Sequence, residues 1–259
     1  MKRIVTIVSL LLCVAAGVAR WLDVVNYTDL TTGFTTQGNY LWRYAVAGIL
    51  VVLLFLAGFL APKKPDGLEG VNRIQGVLCA VSGVVFAAAA GMCIASYQTV
   101  DLFQLVVGVL YLITGLWMML VGITRFTEEF EAPSRNAFLG VAGTLSFYLL
   151  TIQRFGLSPT GIVRVGSTFA GLAALAVLLF STAQLKAAYV PDKKNSLWIW
   201  FTGMIAFLFA TCLSLPNVIC LYWVGEQSLF QLIEGIALAM AGLVGASYAA
   251  KTMMCKEAE

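Results

Sequence analysis

The chain contains no histidine. That removes the side chain most used for proton transfer near neutral pH and the commonest zinc ligand, and with it any metalloprotease motif. Charge is scarce as well: only 11% of the 259 residues are Asp, Glu, Lys or Arg, against roughly 25% in soluble domains. No Walker sequence, dinucleotide fingerprint or nucleophile elbow occurs. Every lysine falls in a tail or at one predicted face, which leaves no candidate for a buried Schiff base. The net charge of +3 is spread without a basic stripe, so no nucleic-acid partner is expected. An enzyme built from this chain would have to use Glu234, Asp23 or Asp101 without histidine, and no motif supports that. No metal or cofactor is called for.

Apolar sequence is what the chain has. Sixty per cent of it is hydrophobic and the mean hydropathy is +0.90. Continuous apolar runs near 4–22, 41–61, 74–96, 102–124, 137–153, 166–189, 197–215 and 228–250 approach the roughly 20 residues that a helix needs to cross a bilayer. The expected fold is an all-α integral membrane protein of eight spans, with the lipid bilayer as its main partner. The fifth run is the weakest, being short and carrying Thr144, Ser146, Tyr148 and Thr151. A β-barrel is excluded, because these runs do not alternate.

Basic residues orient the spans. Twelve of the 16 Lys and Arg residues fall on the side of the termini, and only Arg20, Arg43, Arg154 and Arg164 fall opposite. By the positive-inside rule both termini are expected in the cytoplasm, with the protein in the cytoplasmic (plasma) membrane. Lys2-Arg3 and the first apolar run also resemble a signal peptide. The run is long for one, and the repeat described next needs a first helix, so retention is the favoured reading.

The segment Leu102-Phe103-Gln104-Leu105, with Gly108, Gly115 and Leu116 behind it, recurs as Leu229-Phe230-Gln231-Leu232, Gly235, Gly242 and Leu243, an offset of 229 − 102 = 127. Gly76 and Gly83 map onto Gly203 and Ala210, and Cys93 onto Cys220. The expectation is two parallel four-helix repeats, 1–130 and 131–259, in one membrane domain. Gly108, Gly115 and Gly122 are seven apart, as are Gly76, Gly83 and Ala90. Small residues at that spacing form a helix-packing face, and they nominate the fourth and eighth helices for the contact between halves.

Glu234 is the acidic residue set clearly inside a span, on one stripe with Gln227 and Gln231. An intramembrane carboxylate marks a function unless an arginine simply locks it in the bundle; both readings stand. The four exceptional arginines either ring an external vestibule suited to carboxylate or phosphate, or snorkel to lipid headgroups beside Trp21, Trp42 and Phe155. Gln104 and Gln231 are expected to bond across the interface or to line a path. Cys93 and Cys220 both approach the external face, and free thiols are the favoured reading over a disulfide. The threonine-rich segment 23–40 is either a lid or a connector, and Asn26-Tyr27-Thr28 fits a glycosylation sequon.

Two functional expectations follow. The first is a transporter-like or ligand-binding protein with a site for a small anionic ligand formed by Arg20, Arg43, Arg154, Arg164, Glu234, Gln104 and Gln231. The second is a non-transporting scaffold or accessory subunit, whose partner would be a second copy or another membrane subunit docked on Glu128 to Glu131. A cavity lined by Glu234 and at least two of the arginines is the feature that separates them.

Overall fold

Apolar side chains on every face leave the backbone as the main polar group along each run, and in hydrocarbon a backbone must satisfy its own hydrogen bonds. In a computed structural model, which describes residues 2–62, 71–95, 102–126, 136–157, 163–190 and 195–254, the runs form eight helices long and apolar enough to cross a membrane. They are α1 (Lys2–Tyr27), α2 (Tyr40–Gly58), α3 (Arg73–Ala95), α4 (Leu102–Thr124), α5 (Ala137–Gly156), α6 (Val165–Tyr189), α7 (Asn195–Val224) and α8 (Leu229–Met254). Among the described residues the only β pairing is an isolated antiparallel bridge between Thr28 and Thr35.

Local chemistry sets several of the ends. Asn39 Oδ1 accepts from the Leu41 N–H at 2.9 Å to start α2, and Asn136 Oδ1 accepts from Phe138 N–H at 3.1 Å to start α5. Gly225, at φ +84°, closes α7 in the left-handed conformation that glycine adopts without a Cβ clash. Ser228 and Gln231 form a capping box at the head of α8: the Ser228 N–H donates to Gln231 Oε1 at 2.9 Å, and the Gln231 N–H lies 3.4 Å from Ser228 Oγ.

Two helices differ from their expected lengths. α1 runs on past residue 22 to Tyr27, so the polar connector shortens to 28–39. α7 runs to Val224 rather than stopping near 215, because π-helical winding over Phe207–Ser214 carries the chain past Pro216. Proline lacks an N–H and crowds the carbonyl four residues back; the wider winding relieves that crowding without ending the helix. α7 is also the innermost span: 67% of its apolar window is buried, against 22% for α1 and for α2. Gly17 of α1 lies against Cys212 in the π-wound part, where a methyl would stand 3.1 Å from the cysteine Cβ. Trp200 of α7 donates its indole N–H to the Leu54 carbonyl of α2 at 3.1 Å.

The glycine faces do not join α4 to α8, and that expectation is corrected. A methyl at Gly115 would stand 2.8 Å from the Gly83 carbonyl oxygen, and one at Gly122 would stand 2.9 Å from that of Gly76. These seams, with Gly108 against Cys93, join α3 to α4. Gly203 against Gly245, Gly242 against the Ala206 carbonyl and Gly235 against Val218 join α7 to α8. These seams therefore lie between the last two helices of residues 1–130 and of 131–259, whereas Gly17 packs on Cys212 and Gly143 on Trp117 across the two segments. Residues 1–130 meet 131–259 where α3 packs on α8, α1 and α2 on α7, and α4 on α5. α4 and α8 are bridged by long polar side chains: Tyr111 Oη donates to Glu234 Oε1, and Arg125 Nη2 donates to Tyr248 Oη at 3.0 Å. Both steps are 14 residues, 111 to 125 and 234 to 248, so the two helices run in the same direction and in register.

Candidate functional site

At the end of the bundle remote from Lys2 and Met254, α3 to α8 leave a cavity of about 1020 Å³, at the upper end of ligand-pocket sizes. Glu234 lies at its floor, one and a half turns into α8 and 8% exposed. Each carboxylate oxygen has a partner from a different helix. Tyr111 of α4 donates to Oε1, and Arg154 Nη2 sits 2.7 Å from Oε2. Arg154 reaches the acid from the π-helical turn Gln153–Leu157 that ends α5. An acid that would otherwise be costly at this depth is thus held by one ion pair and one hydroxyl, and it ties three spans together.

Arg164 caps the opposite wall at the head of α6. Among the described residues it has no acidic partner; its guanidinium instead stacks over the Phe34 ring, 5.1 Å from the centroid. Phe34 belongs to the connector between α1 and α2, and Thr28, Thr31, Thr32 and Gly33 of that connector also line the cavity. A tight turn holds the connector in place. The Asp29 carboxylate accepts from Thr32 Oγ1 at 2.6 Å, from Thr31 Oγ1 at 2.7 Å and from the Thr31 N–H at 3.0 Å. Gly33 at φ +72° completes it. The threonine hydroxyls, Thr32 first and Thr31 second, hold the Asp29 carboxyl below the usual carboxylate range.

The sequence-nominated residues fall into two groups. Arg154, Arg164, Glu234, Gln104 and Gln231 line the cavity. Arg20 and Arg43 do not; they converge on Asp23 in a separate cluster, with Arg20 only 4% exposed and stacked over Phe169 at 5.5 Å. Burial of that order is not the geometry of an arginine snorkelling to headgroups. Gln104 and Gln231 form no hydrogen bond with each other; the Gln231 side chain is engaged in the α8 cap, and the Gln104 backbone carbonyl accepts from Cys93 Sγ at 3.1 Å. Cys93 and Cys220 are free thiols. The acidic segment Glu128 to Glu131 and the loop lysines Lys63, Lys64, Lys193 and Lys194 lie outside the described residues.

Three amides complete the wall. Asn217, 9% exposed, lines the cavity beside Gly166, where any side chain would collide with the amide at 2.6 Å. It makes no hydrogen bond among the described residues. Gln153 Oε1 and Gln227 Oε1 also lack partners, and both residues line the same space. An asparagine in an apolar run next to Pro216 was the available sequence signal for this wall, whereas nothing in the sequence placed Gln153 against α8. Among the described residues no group of three or more Cys, Asp or Glu side chains stands ready for a metal ion.

Eight apolar helices long enough to cross a membrane define the class: a multi-pass helical membrane protein. Comparison with protein-family models, with curated proteins and with solved structures finds no match.

Proposed function

We propose that this is a transporter-like or ligand-binding membrane protein whose cavity takes a small anionic ligand. The observation that carries the reading is the placing, in one cavity, of the Arg164 guanidinium, free of any acidic partner among the described residues, with the Asn217 amide, which likewise makes no hydrogen bond among them. A planar guanidinium with several donors suits carboxylate or phosphate. The Asn217 amide N–H suits the anionic group, while the unused Oε1 atoms of Gln153 and Gln227 are acceptors and suit a donor elsewhere on the ligand. Arg154 is already engaged with Glu234, so its role is to neutralise the acid and hold the floor in shape.

The positive-inside count supports cytoplasmic termini in the plasma membrane, with the cavity facing outward. Cysteine labelling in the 63–70 and 190–195 loops tests this: reaction from inside only is expected, and reaction from outside overturns the orientation. Two parallel repeats, 1–130 and 131–259, are supported by the seams, since Gly76 at Gly122 and Gly203 at Ala249 are contacts shifted by the same 127 residues.

The ligand reading is tested with the purified chain in detergent, by measuring Tm against a panel of small carboxylates, phosphates and sulfonates. A saturable rise with one of them, abolished by Arg164→Gln, is expected. Proteoliposome uptake of that compound then separates transport from binding alone. The second reading, a non-transporting scaffold or accessory subunit, is favoured by the close-packed seams, which need no ligand. It takes the lead if no anion raises Tm and Arg164→Gln leaves the protein unchanged.

A further inference from the structure

Two arginines share one carboxylate at the head of α1 and α2. Asp23 Oδ1 accepts from Arg43 Nε at 2.9 Å and from Arg43 Nη2; Oδ2 accepts from Arg43 Nε at 2.9 Å and from Arg20 Nη1. Four contacts occupy the roughly four lone-pair sites that a carboxylate offers. Three more guanidinium nitrogens, Arg20 Nε, Arg20 Nη2 and Arg43 Nη1, are buried and have no hydrogen-bond partner among the described residues. Arg20 is 4% exposed, and the Arg43 side chain only 13%. The cluster therefore holds two positive charges against one negative, with its spare donors shut away from bulk solvent. Asp23 has no capacity left to answer them.

We propose that this cluster binds a small monovalent inorganic anion of halide size, at a site separate from the cavity. A single negative charge brings the cluster to neutrality, which a water molecule, though able to accept the same hydrogen bonds, does not. The three nitrogens are closed to solvent, so neighbouring side chains must shift to admit the ion, and the smaller the ion the smaller that shift, which disfavours a phosphate or an organic acid. The site also anchors the connector that lines the cavity. Arg43 Nη2 donates to the Gln37 carbonyl at 3.2 Å, and Thr28 Oγ1 donates to the Asp23 carbonyl at 3.3 Å. Anion binding therefore steadies both ends of the segment from Thr28 to Gln37.

The test uses the full chain in detergent or nanodiscs, in sodium bromide against sodium gluconate at constant ionic strength. Bromide is expected to raise Tm saturably by about 2–4 °C, the shift expected for a ligand at several times its Kd in a protein of this size. Arg43→Gln is expected to remove the saturable part. Asp23→Asn keeps the test open if the arginine variant does not fold: it frees donors and removes the competing charge, so the half-saturating bromide concentration should fall by about tenfold or more. Amide exchange across 28–37 should slow in bromide in the wild type. The proposal is overturned by equal Tm in the two salts, by a linear rise that survives in Arg43→Gln, or by an unchanged half-saturation in Asp23→Asn.

Discussion

Between α3 and α4, Gly83 and Gly115 bring two backbones together; 127 residues later the corresponding pair is Ala210 and Gly242, and the Ala210 methyl fills the place a second glycine would leave. Both helix pairs thus close on small residues at matching positions. They diverge in winding and in polar side chains. α3 is a regular α-helix throughout, whereas α7 is π-wound over Phe207–Ser214 and sends Thr211 Oγ1 to the Ala239 carbonyl of α8 at 2.7 Å. In the first pair the residues standing for Thr211, Asn217 and Glu234 are Val84, Ala90 and Val107. The small packing positions are therefore common to the two helix pairs, and these polar side chains are not. The polar cavity draws its floor acid and its deepest amide from the second pair, while α3 and α4 contribute mainly Tyr111, Cys93 and Gln104 to that end of the bundle.

The largest effect should come from the floor. Glu234→Gln leaves the Arg154 charge without its counter-ion in a site where both side chains are under one-fifth exposed, and it should lower stability by about 3 kcal/mol. Adding Arg154→Gln to the same chain should recover much of that loss. Truncating the apolar counterpart, Val107→Ala, should cost less, about 1 kcal/mol. Equal losses at 234 and 107, measured by unfolding in mixed micelles, would erase the chemical difference between the pairs.

The seams should respond alike. Gly115→Leu and Gly242→Leu each force a side chain onto a carbonyl less than 3 Å away, and each should destabilise by about 1–3 kcal/mol. Tolerance at one position and not at the other, seen as Tm in detergent, would show that only one pair depends on close approach.

Tyr111→Phe removes a hydroxyl that donates to a carboxylate and should cost about 1.5 kcal/mol. The loss should shrink when it is measured in a Glu234→Gln background, and full additivity there would mean that the hydroxyl contributes through some other contact. Thr211→Val makes α7 resemble α3 at Val84 and removes one buried hydrogen bond, so about 1 kcal/mol is expected. Backbone exchange near Ala239 reads it directly.

The smallest effect belongs to the connector over the cavity. Hydrogen bonds from Thr32 and Thr31 hold the folded Asp29 carboxyl below its unfolded value. Stability from the ionised form is therefore present above the usual carboxylate range and lost as pH falls through the lowered folded value. The protection factor of the Thr31 amide, its exchange referred to the intrinsic rate at each pH, should fall on acidification, and Asp29→Asn should make that factor insensitive to pH.

Eight spans were legible because hydrocarbon leaves a polar backbone one economical arrangement, and run length with hydropathy reports it directly. Glycine spacing was legible as a packing face, yet its partner was not: a small residue says that a backbone comes close, never which one. Glu234 stood out as a lone acid in an apolar run. Its pairing with Arg154 was hidden because those residues are 80 positions apart and meet only when the π turn after α5 leans toward α8. The four arginines looked equivalent by topology, and three-dimensional packing divided them into two pairs with different surroundings.

Composition and periodicity by themselves determined the membrane class, the number of helices and the positions where backbones meet, since each follows from local solvation and side-chain size. Tertiary structure decided which helices share those seams, that α7 passes Pro216 by π winding, and which polar side chains turn inward together. Those outcomes depend on contacts between segments far apart in the chain, where a donor finds its acceptor only after the surrounding helices have packed.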